Sequence, residues 1–202
     1  SSRPELEGLP LARTHSTVVR ARDGLELVCY YTLPAGTDAA PAHASSGERP
    51  RVAAGDDADA RPAVGCEPAD VARPAAPLPA VLHVHGGPWG RDRWGFHPSD
   101  QWLANRGYVV LSVNFRGSTG FGKRFVNAGD REWAGRMHDD LLDAVSWAVG
   151  AGIADPARVA IYGGSYGGYA ALVGMTFTPE VFACGVSVVG PSNLVTLLES
   201  IP

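Results

Sequence analysis

Apolar residues along the chain recur in two patterns, which predict alternating strands and helices. Short continuous apolar runs, each ended by glycine, proline or polar residues, are typical of strands buried in a parallel sheet and occur at residues 80–85, 108–114, 158–162 and 184–189. Apolar residues at helical spacing predict a helix at residues 137–149, and a candidate N-cap with a glycine past the end predicts one at residues 99–106. Further helices are predicted at residues 166–175 and 192–201. The alternation predicts an α/β protein with a mostly parallel sheet covered on both faces.

The N-terminal segment, residues 1–37, has a different pattern that predicts a hairpin. Residues 16–20 are rich in β-branched side chains, Asp23-Gly24 is a turn signal, and apolar and polar residues alternate over 25–32. We expect these two strands to form an antiparallel edge on the otherwise parallel sheet.

Composition changes abruptly over residues 38–79, which consist mainly of Ala, Pro, Arg, Asp and Gly and contain no aromatic residue. Such a segment buries too little apolar surface to offset the entropy lost on ordering. We expect a disordered, low-complexity insert, with the α/β core resuming at residues 80–202.

Charge and composition exclude several classes of partner. Hydrophobic residues make up 45% of the chain and the net charge is only -4, so neither a nucleic acid nor an anionic membrane is expected as a partner. No apolar run is long enough to span a bilayer. The three cysteines are far apart, which predicts neither a disulfide framework nor a zinc site. With no signal peptide in view, we expect a cytoplasmic location.

The strongest chemical motif is Gly163-Gly164-Ser165-Tyr166-Gly167, placed between a predicted strand and a predicted helix. It matches the G-x-S-x-G nucleophile elbow of the α/β-hydrolase fold, in which a strained turn lifts the serine hydroxyl above the sheet. The motif lacks the residues of a phosphate-binding or dinucleotide-binding loop, and no cofactor is predicted. Ser165 is therefore the predicted nucleophile.

A second motif, His85-Gly86-Gly87-Pro88-Trp89, follows the third predicted strand. In this fold one oxyanion-hole donor comes from that loop, and the other is the backbone N–H of the residue after the nucleophile. We assign the donors to Gly87, with Gly86 as the alternative, and to Tyr166. Trp89 is a candidate for the rim of the substrate pocket.

Other polar residues have structural interpretations beside functional ones. His85 precedes the nucleophile, the wrong order for the general base of this fold, and is expected to hold the oxyanion loop. His83 would share its face of the strand, but no third ligand is visible, so no metal site is predicted. Arg116 either binds a carbonyl or carboxylate group of the substrate, or it holds its own loop in place. Asp139 and Asp140, in the first turn of a predicted helix, are explained by the helix dipole.

Taken in order, three motifs resemble the catalytic domain of the prolyl oligopeptidase family of serine peptidases, nearest to its acylaminoacyl-peptidase and dipeptidyl-peptidase-like branch. They lie at residues 85–89, 114–122 and 163–169, and the similarity covers residues 1–37 and 80–202. The resemblance implies hydrolysis of short peptides or aminoacyl substrates through an acyl-enzyme. It also implies a β-propeller domain upstream that selects substrates by size.

The residues that would activate Ser165 do not follow it. In this fold the acid and then the base come after the nucleophile, yet no Asp and no His occur beyond Ser165. We therefore expect a fragment, truncated before the last two strands, that folds poorly and hydrolyses little by itself. Two alternatives remain: a carboxylesterase or lipase of the same fold, and an inactive fragment or binding module.

Overall fold

Six strands form one mixed sheet in the computed structural model, which describes residues 4–37 and 71–200. The strands are β1 Arg13–Arg20, β2 Glu26–Leu33, β3 Leu78–Val84, β4 Val109–Val113, β5 Ala154–Gly164 and β6 Cys184–Val188. The helices are α1 Pro98–Ala104, α2 Lys123–Asn127, α3 Arg136–Gly150, α4 Tyr166–Phe177 and α5 Leu194–Ser200. Every strand and helix predicted above is present, with ends shifted by a few residues; α2, a five-residue helix, was not predicted.

The sheet order is β1-β2-β4-β3-β5-β6. Strand β1 pairs antiparallel with β2, and β2 pairs antiparallel with β4, while the other three pairings are parallel. The antiparallel N-terminal edge and the α/β-hydrolase architecture are thereby confirmed. In this order β3 and β5 lie side by side, so the loop after β3 and the turn after β5 leave the same edge of the sheet.

The core lies on both sides of the central strands. All five residues of β4 are buried, as expected for a strand covered on both faces. Helix α3 packs one apolar face against the sheet, and its Met137 and Leu141 are fully buried. Burying one such side chain stabilises the fold by about 1.5–3 kcal/mol, so this helix is anchored by its apolar face.

Residues 71–79, the last part of the predicted insert, lie among the described residues. Residues 38–70 lie outside the described residues, but Val71 and Ala72 are buried against the core, and Leu78 already begins β3. A continuous run of ordered residues from 71 onward was missed because Pro and Ala dominate it, and composition does not show which small residues are buried.

The sheet ends in β6, whose five residues are all exposed. Val186 and Val188 of this strand are about half exposed, and Val189 just beyond it is 84% exposed. An apolar edge of this kind needs covering in a stable protein. Among the described residues, no helix is both long and apolar enough to cross a membrane.

Candidate active site

Ser165 occupies the turn between β5 and α4, in a backbone conformation that side chains rarely adopt. Its φ is 55° and its ψ is -118°, and such strain costs about 1–3 kcal/mol. The Ser165 N–H donates a 2.9 Å hydrogen bond to the carbonyl oxygen of Val188 in β6. The residue is exposed, and its hydroxyl has no partner among the described residues. This is the geometry predicted for a nucleophile elbow.

The glycines around Ser165 are required by close backbone contacts. A Cβ atom on Gly163 would lie 2.5 Å from the carbonyl carbon and oxygen of Gly167. A Cβ atom on Gly167 would overlap the carbonyl oxygen of Val84 at the end of β3. Helix α4 can therefore start directly against β3 and β5 only because these positions carry no side chain.

Replacing Gly167 by Ala is expected to destabilise the protein by at least about 2 kcal/mol, because the methyl group can be accommodated only by moving backbone. The matched control is Gly150→Ala at the end of α3, where a Cβ atom would meet nothing within 4 Å. That change should be neutral or stabilise by up to about 1 kcal/mol. The midpoint of thermal or urea unfolding measures both; equal midpoints for the two variants would contradict the crowding described here.

The loop after β3 approaches Ser165 through Gly86. A Cβ atom built on Gly86 would lie 3.1 Å from the Gly164 carbonyl oxygen and 3.5 Å from Ser165 Cβ, so no side chain separates the two loops. The adjacent Gly87 has a φ of 127°, which favours glycine. The two motifs singled out in the sequence therefore lie next to each other in space.

His85 fixes the direction of the peptide bond between Gly86 and Gly87. Its Nδ1 lies 2.8 Å from the Gly86 carbonyl oxygen, which can only accept, so Nδ1 carries the proton. In a trans peptide plane the C=O and the next N–H point in opposite directions. Holding the Gly86 oxygen therefore turns the Gly87 N–H away from the His85 ring, toward the open side of the loop.

The His85 ring is itself held from two sides. Its Nε2 lies 3.0 Å from Ser118 Oγ, and the ring stacks on Phe115 with centroids 4.5 Å apart. Burial lowers the pKa of His85, so the ring is neutral at physiological pH. These contacts agree with the expected loop-holding role.

Tyr166, which follows the nucleophile, is fixed by an aromatic cluster. Its ring lies 5.3 Å from Phe115, 4.8 Å from Trp133 and 6.0 Å from Tyr169. Burial raises the pKa of the Tyr166 phenol. Its backbone N–H belongs to the first turn of α4, where N–H groups have no acceptor within the helix. Trp133 was missed in the sequence because it precedes α3 in an irregular segment with no periodic pattern.

Arg116 is buried and paired, which favours its loop-holding interpretation over substrate binding. The side chain is only 3% exposed, and its guanidinium donates to both oxygens of Asp140 and both oxygens of Asp23. The hydrogen bond to Asp140 raises the pKa of Arg116, and the bond from Arg116 lowers the pKa of Asp23. Through these hydrogen bonds, Arg116 holds its loop against the β1–β2 turn and against α3.

Asp140 also has a larger role than helix-dipole compensation. Its side chain is completely buried, and it accepts a 2.8 Å hydrogen bond from the Arg116 backbone N–H as well. Burial raises the pKa of the Asp140 carboxyl, and the guanidinium opposes that shift. Neighbouring Asp139 is instead partly exposed and pairs with Arg22 at the surface. Sequence spacing gave no signal to separate the two.

An open cleft of about 710 Å³ adjoins the loop after β3. Its walls include His85 and Gly86 on one side and the partly exposed rings of Trp94 and Phe96 on another. Burial raises the pKa of Asp92, which also lines the cleft, to about 7. Trp89 is 63% exposed on the same loop but is not among the cleft residues, so its place at a substrate rim stays a prediction.

One group of described side chains has the spacing of metal ligands. It comprises His83, His97 and Asp100, whose ligand atoms all lie within 4.8 Å of one another. His97 and Asp100 were not singled out in the sequence, because they belong to a different element from His83 and only the fold brings the three together.

Known proteins similar to this chain are peptidases. The model of the prolyl oligopeptidase family matches residues 94–200. The chain is 54% identical to dipeptidyl aminopeptidase BIII of Pseudoxanthomonas mexicana and 48% identical to dipeptidyl peptidase family member 6 of Caenorhabditis elegans, in each case over its full length. It spans 25% of the length of either relative.

A solved structure shares the fold. The puromycin-hydrolyzing peptidase of Mycobacterium tuberculosis superposes with a TM-score of 0.75 at 29% identity, over 98% of this chain and 26% of that protein. The similarity thus extends through the turn at Ser165, the loop after β3 and the N-terminal hairpin.

Proposed function

Because the chain belongs to the prolyl oligopeptidase family of serine peptidases, we propose that the full-length protein hydrolyses short peptides through an acyl-enzyme on Ser165. The observation that carries the proposal is the position of Ser165. It is exposed at a positive φ between β5 and α4, with the backbone of Gly86 directly beside it. The strain of such a turn is typical of a nucleophile elbow.

In the proposed reaction, Ser165 Oγ gives its proton to a general base and attacks the carbonyl carbon of the scissile peptide bond. The C–N bond then breaks, the amine leaves with that proton, and water hydrolyses the acyl-enzyme to release the acid and free Ser165. The negative charge that develops on the carbonyl oxygen is stabilised by the N–H groups of Gly87 and Tyr166. Fixed donors of this kind typically contribute about 10²–10³-fold each to the rate. His85 acts indirectly by directing the Gly87 N–H, and the aromatic cluster around Tyr166 keeps the second donor in place.

A general base must remove the Ser165 proton, since a serine hydroxyl is a weak nucleophile at neutral pH. His85 is unsuited to this because it precedes the nucleophile, whereas in this fold the base follows it, and because its Nδ1 donates to the Gly86 carbonyl oxygen. We assign the base and its carboxylate partner to parts of the full-length protein beyond these 202 residues. The lengths of the relatives, about four times that of this chain, support the assignment.

The substrate is proposed to be a short peptide with a free or blocked N-terminus. Two relatives are named as a dipeptidyl aminopeptidase and a dipeptidyl peptidase, and this favours release of dipeptides. Trp89 is proposed to contribute to the substrate rim, and an upstream β-propeller to limit substrate size. A cytoplasmic location stays a prediction from the sequence.

A comparison of amide and ester substrates tests the proposal. The full-length protein should hydrolyse a dipeptidyl nitroanilide, with kcat/KM at least comparable to that for a short-chain nitrophenyl ester. A preference of more than about 100-fold for the ester would favour the carboxylesterase alternative. Absence of turnover on both, with no labelling by a fluorophosphonate probe, would favour the inactive binding module.

A further inference from the structure

A cluster of two histidines and one carboxylate lies at the base of the oxyanion loop. His83 belongs to β3, and its Nδ1 lies 2.7 Å from Asp100 Oδ1 in α1. The Nδ1 of His97, just before α1, lies 3.2 Å from the same oxygen. Two imidazole nitrogens therefore converge on one carboxylate oxygen, from separate elements.

The spacing of these atoms is close to that of a tetrahedral metal site. Bonds of about 2.0–2.1 Å to zinc require donor atoms about 3.4 Å apart. The two nitrogen–oxygen distances differ from this value by less than 1 Å, which small side-chain rotations can supply. Two imidazoles with one carboxylate suit zinc and neighbouring transition metals better than Mg²⁺ or Ca²⁺, which prefer oxygen ligands.

The surroundings fit a bound cation. The side chains of His83 and Asp100 are 16% and 13% exposed, so they are already constrained, while His97 is 52% exposed and leaves access from solvent. The His83 ring stacks on Tyr162 of β5 at 5.0 Å, which fixes its plane. In the same cleft, Asp92 Oδ2 is buried without a hydrogen-bond partner among the described residues, and a nearby positive charge would compensate it.

The position of the cluster gives such an ion a structural effect. The loop that carries Gly87 leaves β3 two residues after His83 and returns to α1 at His97. An ion bound by residues at both ends of this loop would link those ends to each other. Cross-links that close a loop lower the entropy of the open state and so favour the ordered conformation.

We propose that His83, His97 and Asp100 form a binding site for one Zn²⁺-class divalent ion, which closes the loop of the oxyanion donor at its base. The fourth coordination position faces the open cleft and is taken by water. Binding requires the two imidazoles in their neutral form, with their lone pairs directed at the ion.

The test is a Zn²⁺ titration of the full-length protein after treatment with a chelator, followed by calorimetry and by the unfolding midpoint. We expect a site with a Kd of about 1 µM or tighter, and a rise in the unfolding midpoint on saturation with Zn²⁺ but not with Mg²⁺. His97→Gln, at a half-exposed position, should weaken this site at least about tenfold. Asp100→Asn should do the same.

The matched control is Asp130→Asn, an exposed aspartate between α2 and α3, which should leave the Zn²⁺ affinity unchanged. The metal-free midpoints of all variants are compared first, so that loss of binding is separated from loss of folding. Zn²⁺ affinity that is undiminished in both His97→Gln and Asp100→Asn, or that is absent in the parent protein, would overturn the proposal. Since the readout is binding, its result is independent of whether the protein hydrolyses peptides.

Discussion

The Ser165→Ala protein is expected to lose about 10⁴–10⁶-fold in kcat on a dipeptidyl nitroanilide, relative to the full-length parent. A serine hydrolase without its nucleophile retains only the effects of substrate binding and the oxyanion hole. Folding should be unaffected, because the Ser165 side chain has no partner among the described residues and Ala meets the same backbone strain. The measurements are steady-state hydrolysis and labelling by a fluorophosphonate probe.

Ser192→Ala is the matched control, since Ser192 is an exposed serine between β6 and α5 with no described side-chain bond. It should keep parental turnover and labelling. Labelling that persists in Ser165→Ala but disappears in another serine variant would place the nucleophile elsewhere and remove the basis of the proposed reaction.

The Arg116→Met protein is expected to be less stable by about 3–5 kcal/mol, the largest loss of stability predicted here. Removing the guanidinium leaves the Asp140 carboxylate completely buried without its charged partner. The loop that contains Ser118 would also be released from α3, and with it the contact to His85. The midpoint of urea unfolding, with its slope, measures the loss.

Asp139→Asn offers a contrast on the same turn of α3. Its carboxylate is 37% exposed and pairs with Arg22, which is 53% exposed. Surface ion pairs of this kind contribute about 0–1 kcal/mol, so this change should be small. If the two substitutions destabilise equally, burial is not the source of the Arg116 effect.

The double variant Arg116→Met with Asp140→Leu should recover part of the lost stability, because it removes the unpaired charge.

The elements closest to the chemistry were predictable because their signals are local. A strained turn between strand and helix needs small neighbours within a few residues, and Gly163 and Gly167 therefore mark Ser165 in the sequence. The loop at Gly86 and Gly87 is marked in the same way, since close backbone approach excludes side chains. For these positions the fold confirmed the predicted elements and added the distance between them.

Residues that act through distant partners were not predictable. Arg116 and Asp140 are 24 positions apart and Arg116 and Asp23 are 93 apart, so no periodic pattern joins them. The burial of residues 71 and 72 was missed for a related reason. Val71 and Ala72 are buried by packing against the core, whereas their composition resembles that of solvated linkers.

By itself the sequence determined the α/β architecture, the turn between strand and helix at Ser165 and the glycine loop at Gly87, and from these it predicted the nucleophile. Each of these depends on hydrophobic periodicity or backbone sterics acting over a few neighbouring residues. Only the tertiary structure showed that Arg116 is buried and holds its loop in place, and that His85 orients the peptide bond between Gly86 and Gly87. It also showed that His83 lies close to His97 and Asp100. Those roles depend on which side chains become neighbours when β3, β4, α1 and α3 pack together, and burial then sets their charges and partners.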